Sequence, residues 1–144
     1  MIKALDVALL VTFFGSYNSS VKGRTRIQKD ICILKHRDGV PFNFEFESHY
    51  YGPYSNELAD TIDTLVASGI LEQNVMILPS GVRRYDYNLT EEGNEMFRKT
   101  KIALNKKFPR LSDNLKKQAK ELRKLSLPDV ISLAKKCSGM QSTI

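Results

Sequence analysis

Two histidines, two cysteines and a run of three carboxylates are the residues from which this sequence could assemble reactive chemistry. His36 lies late on a basic helix, and His49 opens the aromatic run His49-Tyr50-Tyr51-Gly52-Pro53-Tyr54. With those tyrosines His49 could line a small pocket, although packing between a strand and the next helix accounts for the same residues. Cys32 stands among Ile31, Ile33 and Leu34, which suits a buried thiol, and Cys137 is far away in sequence. Two such cysteines form neither a metal motif nor a disulfide framework. Glu57, Asp60 and Asp63 share part of a helix with no apolar setting to drive their proton affinities apart, so they read as a solvated face. The sequence holds no phosphate-binding glycine loop, no nucleophile elbow and no His/Cys/Asp cluster at ligand spacing. No catalytic residue, metal ligand or cofactor is expected, and the chain reads as a non-enzyme.

The remaining chemistry is that of charge against charge. The formal net charge is +6, and it is unevenly spread. Residues 1–71 carry 7 Lys/Arg and 8 Asp/Glu, a balance of −1, whereas residues 72–144 carry 15 and 8, a balance of +7. Within residues 98–124 alone, 11 basic residues face 2 acidic ones. Such a concentration points to a polyanion, with a solvated basic helix as the plain alternative. Lys22, Arg24, Arg26 and Lys29 cluster at the start of one helix, where they could clamp phosphates; ion pairing with nearby acids explains Arg24 and Arg26 equally well. Arg83 and Arg84 follow a turn, at a place suited to a phosphate or minor-groove contact. Asn56 and Thr61 could read base edges. They share their helix with Glu57, Asp60 and Asp63, whose charge opposes entry into a phosphate-lined groove.

The elements that must position these residues follow from periodicity. Residues 2–14 suit a mostly buried helix stopped by Gly15, and residues 15–23 read as a loop. Ile27, Ile31 and Leu34 define an amphipathic helix over 24–37. Phe42, Phe44 and Phe46 alternate with polar residues as in a half-buried strand. Ser55 can cap a helix running to 68, with Gly69 at its left-handed end. Residues 71–78 and 82–89 flank Pro79-Ser80-Gly81 as a hairpin. Thr90 caps the next helix, which runs to Phe108-Pro109. Leu111, Leu115, Ala119 and Leu122 mark another helix, 127–137 a last short one with Pro128 in its first turn, and 138–144 a loose tail.

Helix, helix, strand, helix, hairpin, helix is the order of a winged helix-turn-helix: an α+β, mainly helical fold with a β-hairpin wing, here followed by a C-terminal helical extension. The expected organisation is a winged-helix domain at 1–93, an extension at 94–137 and the tail at 138–144. The segments Gly23-Arg24-Thr25-Arg26-Ile27-Gln28-Lys29, Tyr50-Tyr51-Gly52-Pro53-Tyr54-Ser55, Glu57-Leu58 and Leu89-Thr90-Glu91-Glu92-Gly93 together resemble a group of small archaeal and bacterial winged-helix transcriptional regulators. The tyrosine-glycine-proline turn also resembles the Panacea domain of antitoxin-associated proteins, which acts through protein contacts. The resemblance covers about residues 2–100 and supplies caps, turns and core positions, with no catalytic motif. It implies a DNA-binding regulator, with a protein-interaction module as the alternative. Beyond the wing, Leu111, Leu115, Leu122 and Leu125 form an apolar stripe that suggests a homodimer, folding back onto the first helix being the other way to cover it. No apolar run approaches the ~20 residues that span a bilayer, and the cysteine usage fits a reducing cytoplasm.

Overall fold

A computed structural model describes residues 2–17 and 19–143. The first helix, α1 (Ala4–Ser16), carries Leu9, Leu10, Phe13 and Phe14 into the core. It passes through Gly15 instead of stopping there. A Cβ at Gly15 would stand 2.5 Å from the Phe97 ring, so this glycine is the notch into which a later helix packs. The loop expected at 15–23 contains a short strand, β1 (Val21–Lys22). Two paired residues are too few to leave a periodic signal in sequence. Gly23, at φ +100°, then turns the chain into α2 (Arg24–His36).

The alternation at 42–46 is realised in burial, with all three phenylalanines inside. It is not realised in pairing. Lys35 donates to the Phe44 carbonyl, and the Asn43 amide donates to Asp6 at 2.8 Å, so side chains hold this segment where a neighbouring strand would. The ladder forms just beyond it, between β2 (Glu47–His49) and β3 (Gly52–Tyr54). Ser55 then accepts the Leu58 amide at 3.1 Å and starts α3 (Asn56–Ala67). The hairpin pairs β4 (Leu71–Ile77) with β5 (Arg83–Leu89) in a register running from Leu71 opposite Leu89 to Ile77 opposite Arg83. With β1 added, the sheet order is β1-β5-β4, all antiparallel, which leaves β4 at an open edge.

Thr90 accepts the Gly93 amide at the head of α4 (Glu91–Lys107). Gly93 is required by space: a Cβ there would lie 2.2 Å from the Ile70 carbonyl oxygen. Two more helices follow, α5 (Leu111–Arg123) and α6 (Leu127–Ser138), the latter capped by the Ser126 hydroxyl with Pro128 in its first turn. Among the described residues the fold is thus α+β and mainly helical, with six helices and small antiparallel sheets.

One core joins all six helices. Phe13, Ile31, Leu58, Leu104, Leu122 and Val130 represent α1 to α6 in the same buried cluster. This decides the fate of the α5 stripe. Leu115 is 0% exposed and Leu122 1%, while Leu111 and Leu125 pack partly buried against the same core. The stripe expected to face a second copy therefore lies against its own chain, where each fully buried leucine contributes roughly 1.5–3 kcal/mol. Polar clasps reinforce this docking. Arg26 donates to the Leu122 carbonyl at 3.3 Å and to that of Leu125, satisfying acceptors at the end of α5. Arg123 does the same for the Tyr17 carbonyl at the end of α1. No helix of the described residues is long and apolar enough to cross a membrane.

Candidate nucleic-acid interface

The cations singled out at the start of α2 do not share one surface. Residues 24, 26 and 29 point in different directions on a helix of 3.6 residues per turn. Arg26 is buried with its guanidinium in the clasp on α5. Lys29 is only 2% exposed, and its Nζ donates to the Pro53 carbonyl at 2.8 Å. Burial pushes the pKa of Lys29 down to about 8, against the pull of Cys32 and with the push of Lys135. Neither side chain can reach a phosphate. Of the cluster only Lys22, in β1, and Arg24 stay at the surface, Arg24 with Nε donating to the Tyr87 hydroxyl at 2.9 Å and its guanidinium 4.0 Å above the Tyr85 ring.

On α3 the exposed residues include Asn56, Glu57, Asp60, Asp63 and Thr64. Thr61 is 3% exposed and donates to the Glu57 carbonyl, so it reads nothing outside the protein. Asn56 lies 3.5 Å from Glu47, at the limit of a hydrogen bond. The outer face of α3 thus carries three carboxylates and no cation. In the hairpin, Arg83 is exposed, whereas Arg84 forms a two-pronged ion pair with Asp86 at 2.8 and 2.9 Å. That pair and its hydrogen bond hold the Arg84 pKa above its ordinary value.

The strongest positive surface lies elsewhere. All 11 Lys/Arg of residues 98–124 are exposed, on α4, on α5, in the turn between them and, for Lys124, just past the end of α5. Arg98 is tied to Glu95, Lys124 lies 3.1 Å from Glu121, and Arg123 donates to Tyr17; among the described residues Lys99, Lys101, Lys106, Lys107, Arg110, Lys116, Lys117 and Lys120 make no ion pair. Because Leu104, Leu115, Ala119 and Leu122 face inward, these cations occupy the solvent side of helices docked on the core through those residues. The signal was present in sequence as a charge balance; what sequence could not supply was which side of α5 would be free.

Two other polar features stand apart. Asp30 is 0% exposed, and neither of its carboxylate oxygens has a hydrogen-bond partner. Burial pushes its pKa up to about 7, against the influence of Arg26. His49 stacks on Tyr54 with centroids 4.7 Å apart and meets Tyr50 at the same distance, which is packing within the β2–β3 hairpin. Tyr50 and Tyr51 themselves are exposed. No group of three or more His, Cys, Asp or Glu among the described residues is placed to hold a metal ion.

Against known proteins, the chain is similar to "Uncharacterized protein YwgA" of Bacillus subtilis (strain 168), at 38% identity over 78 residues. Those residues are 54% of this chain and 46% of that protein, so the chain matches less than half the length of this relative. No protein-family model matches the chain. No solved structure matches it either.

Proposed function

We propose that this chain is a winged helix-turn-helix protein that binds double-stranded DNA as a regulator, docking through the basic face of α4 and α5 instead of through α3. The winged reading is supported by the order α1-β1-α2-β2-β3-α3-β4-β5 and by the sheet that joins β1 to the hairpin. The observation that carries the DNA reading is that all 11 cations between residues 98 and 124 lie at the surface. Held on helices already fixed to the core, they form a ready-made site for phosphate contacts, which supply affinity and orientation without reading sequence. The carboxylates of α3 make its entry into the major groove unfavourable.

Fluorescence anisotropy with a labelled mixed-sequence duplex at ~50 and ~200 mM salt tests this. Binding is expected to weaken at least tenfold across that range, on the order of several released counterions. Replacing Lys116, Lys117 and Lys120 together by glutamate is expected to remove it. Arg83→Ala is expected to lower the salt slope by about one, as for a single lost phosphate contact, and Arg84→Ala to leave it unchanged because Asp86 already occupies that charge. Binding by the triple variant equal to the parent protein would overturn the α4–α5 mode.

A second reading has its own observation. The exposed Tyr50 and Tyr51 at the tip of the β2–β3 hairpin, like the acidic outer face of α3, suit a protein contact, as the alternative resemblance implies. Absence of duplex binding at low salt, with retention of a partner lost on Tyr50→Ala with Tyr51→Ala, would favour it. A homodimer belongs to the regulator reading only through a surface other than the α5 leucines.

A further inference from the structure

A cleft of about 120 Å³ opens between the start of α2, the middle of α3 and β5. Its wall is apolar, made by Ile27, Leu58 and Ile62, all buried. Its rim carries two opposite charges, Arg24 and Asp63. Gln28 and Tyr87 also line it, but their polar groups are already engaged. The Gln28 amide exchanges hydrogen bonds with the Ser55 backbone at 2.8 and 2.9 Å, and the Tyr87 hydroxyl donates to Gln73 at 2.8 Å while accepting from Arg24. These residues shape the cleft, Tyr54 adds an aromatic wall with a hydroxyl, and charged recognition falls to Arg24 and Asp63.

Arg24 is unusually well prepared for a ligand. Tyr87 fixes its Nε and the Tyr85 ring supports the guanidinium plane, while its two terminal nitrogens make no hydrogen bond among the described residues. Asp63 accepts none there and forms no ion pair among the described residues, although its charge is close enough to favour the charged form of Arg24 after the Tyr87 hydrogen bond. Opposite charges on one rim that stop short of pairing leave room for a group that meets both. The planar fork of a guanidinium matches a carboxylate, and the carboxylate of Asp63 matches an ammonium.

We propose that this cleft binds a free α-amino acid with a branched aliphatic side chain, its carboxylate on Arg24, its ammonium on Asp63 and its side chain among Ile27, Leu58 and Ile62. The volume supports the class. About 120 Å³ holds roughly four waters by liquid volume, enough for a four-carbon side chain while the charged ends stay on the open rim, and well below the ~300 Å³ at which sites for larger ligands begin. None of the α4–α5 cations lines the cleft, and its occupancy stands or falls independently of DNA binding. Contacts to α2, α3 and β5 at once would let the ligand fix α3 against the hairpin.

The test is titration of the full chain with L-leucine, L-isoleucine and L-valine, followed by amide chemical shifts and calorimetry without DNA. Saturable binding that perturbs the amides of Arg24, Ala59 and Asp63 is the expected result. Isovalerate, which lacks the ammonium, and isoamylamine, which lacks the carboxylate, are each expected to bind at least tenfold more weakly than L-leucine, about the effect of one charge-assisted hydrogen bond. Asp63→Asn and Arg24→Gln are each expected to produce losses of the same size; Asp63→Asn, at an exposed residue that accepts no hydrogen bond among the described residues, leaves the thermal unfolding temperature unchanged, whereas Arg24→Gln lowers it by removing the bond to Tyr87. No saturable binding of any of the three amino acids up to ~10 mM, far weaker than an effector site requires, would overturn the proposal. So would L-leucine binding that is indifferent to Asp63→Asn or equalled by isovalerate.

Discussion

At the scale of single residues, the buried ionisable groups of α2 set how this protein responds to pH. Asp30 has no partner for either oxygen, and its pKa is raised to about 7 from an ordinary value near 4. A carboxyl whose pKa is raised on folding binds more protons folded than unfolded between those two values. Stability from this group therefore falls as pH rises from about 4 to about 7, and the penalty is complete above 7. Asp30→Asn keeps the shape and removes the charge, so it is expected to raise the melting temperature at pH 8 and to have little effect near pH 4. A melting-temperature gain that is the same at both pH values would show that ionisation of Asp30 is not what costs stability. Lys29 acts in the opposite sense at higher pH, since a lowered lysine pKa penalises the folded state fully below about 8, and that penalty is relieved as pH rises from about 8 through the ordinary lysine range. Neither effect was legible in sequence. Lys29 and Arg26 have the residue types of a phosphate clamp, and only the presence of α5, β3 and α6 over α2 turns them inward. Ser55 and Thr90, by contrast, were legible because a cap is a contact three residues long.

At the scale of elements, the same division between local and distant causes recurs. The helices and the 71–89 hairpin follow from spacing and turn residues that lie next to one another in the chain. The strand expected at 42–46 kept its alternation and lost its ladder, because pairing needs a partner that periodicity does not name. Gly15 looked like a terminator and is instead a contact point, a distinction that depends on Phe97 more than eighty positions away. The stripe on α5 was visible as a stripe, but its counterpart was not. Leu122→Ala is accordingly expected to destabilise the single chain by about 2–5 kcal/mol, the range for a buried leucine truncated to alanine, seen as a lower urea midpoint. Its mass by light scattering is expected to equal that of the parent protein. A change of mass with unaltered stability would restore the leucines to an interface between copies. Gly93→Ala is expected to be costly by a different route, since its new methyl group meets backbone and no side chain can move aside.

At the scale of the whole molecule, the organisation into a domain and an extension describes the order of the elements better than it describes their support. Residues of α4, α5 and α6 occupy the same core as those of α1 and α2, and a chain ending at residue 109 is expected to lose its cooperative thermal transition by circular dichroism. A sharp transition in that fragment would show the first part to be self-sufficient. The clasp between Arg26 and the end of α5 spans 96 and 99 positions, and the one between Arg123 and Tyr17 spans 106. Such separations have a meaning on the ribosome. At ~5–20 residues per second, roughly 5–20 seconds pass between the emergence of α1 and that of the helix that covers it. Throughout that interval Phe13, Leu9 and the charged side chains of α2 lack their final neighbours, so the newborn protein must be shielded by a chaperone or wait in a loosely collapsed form until its last helices arrive.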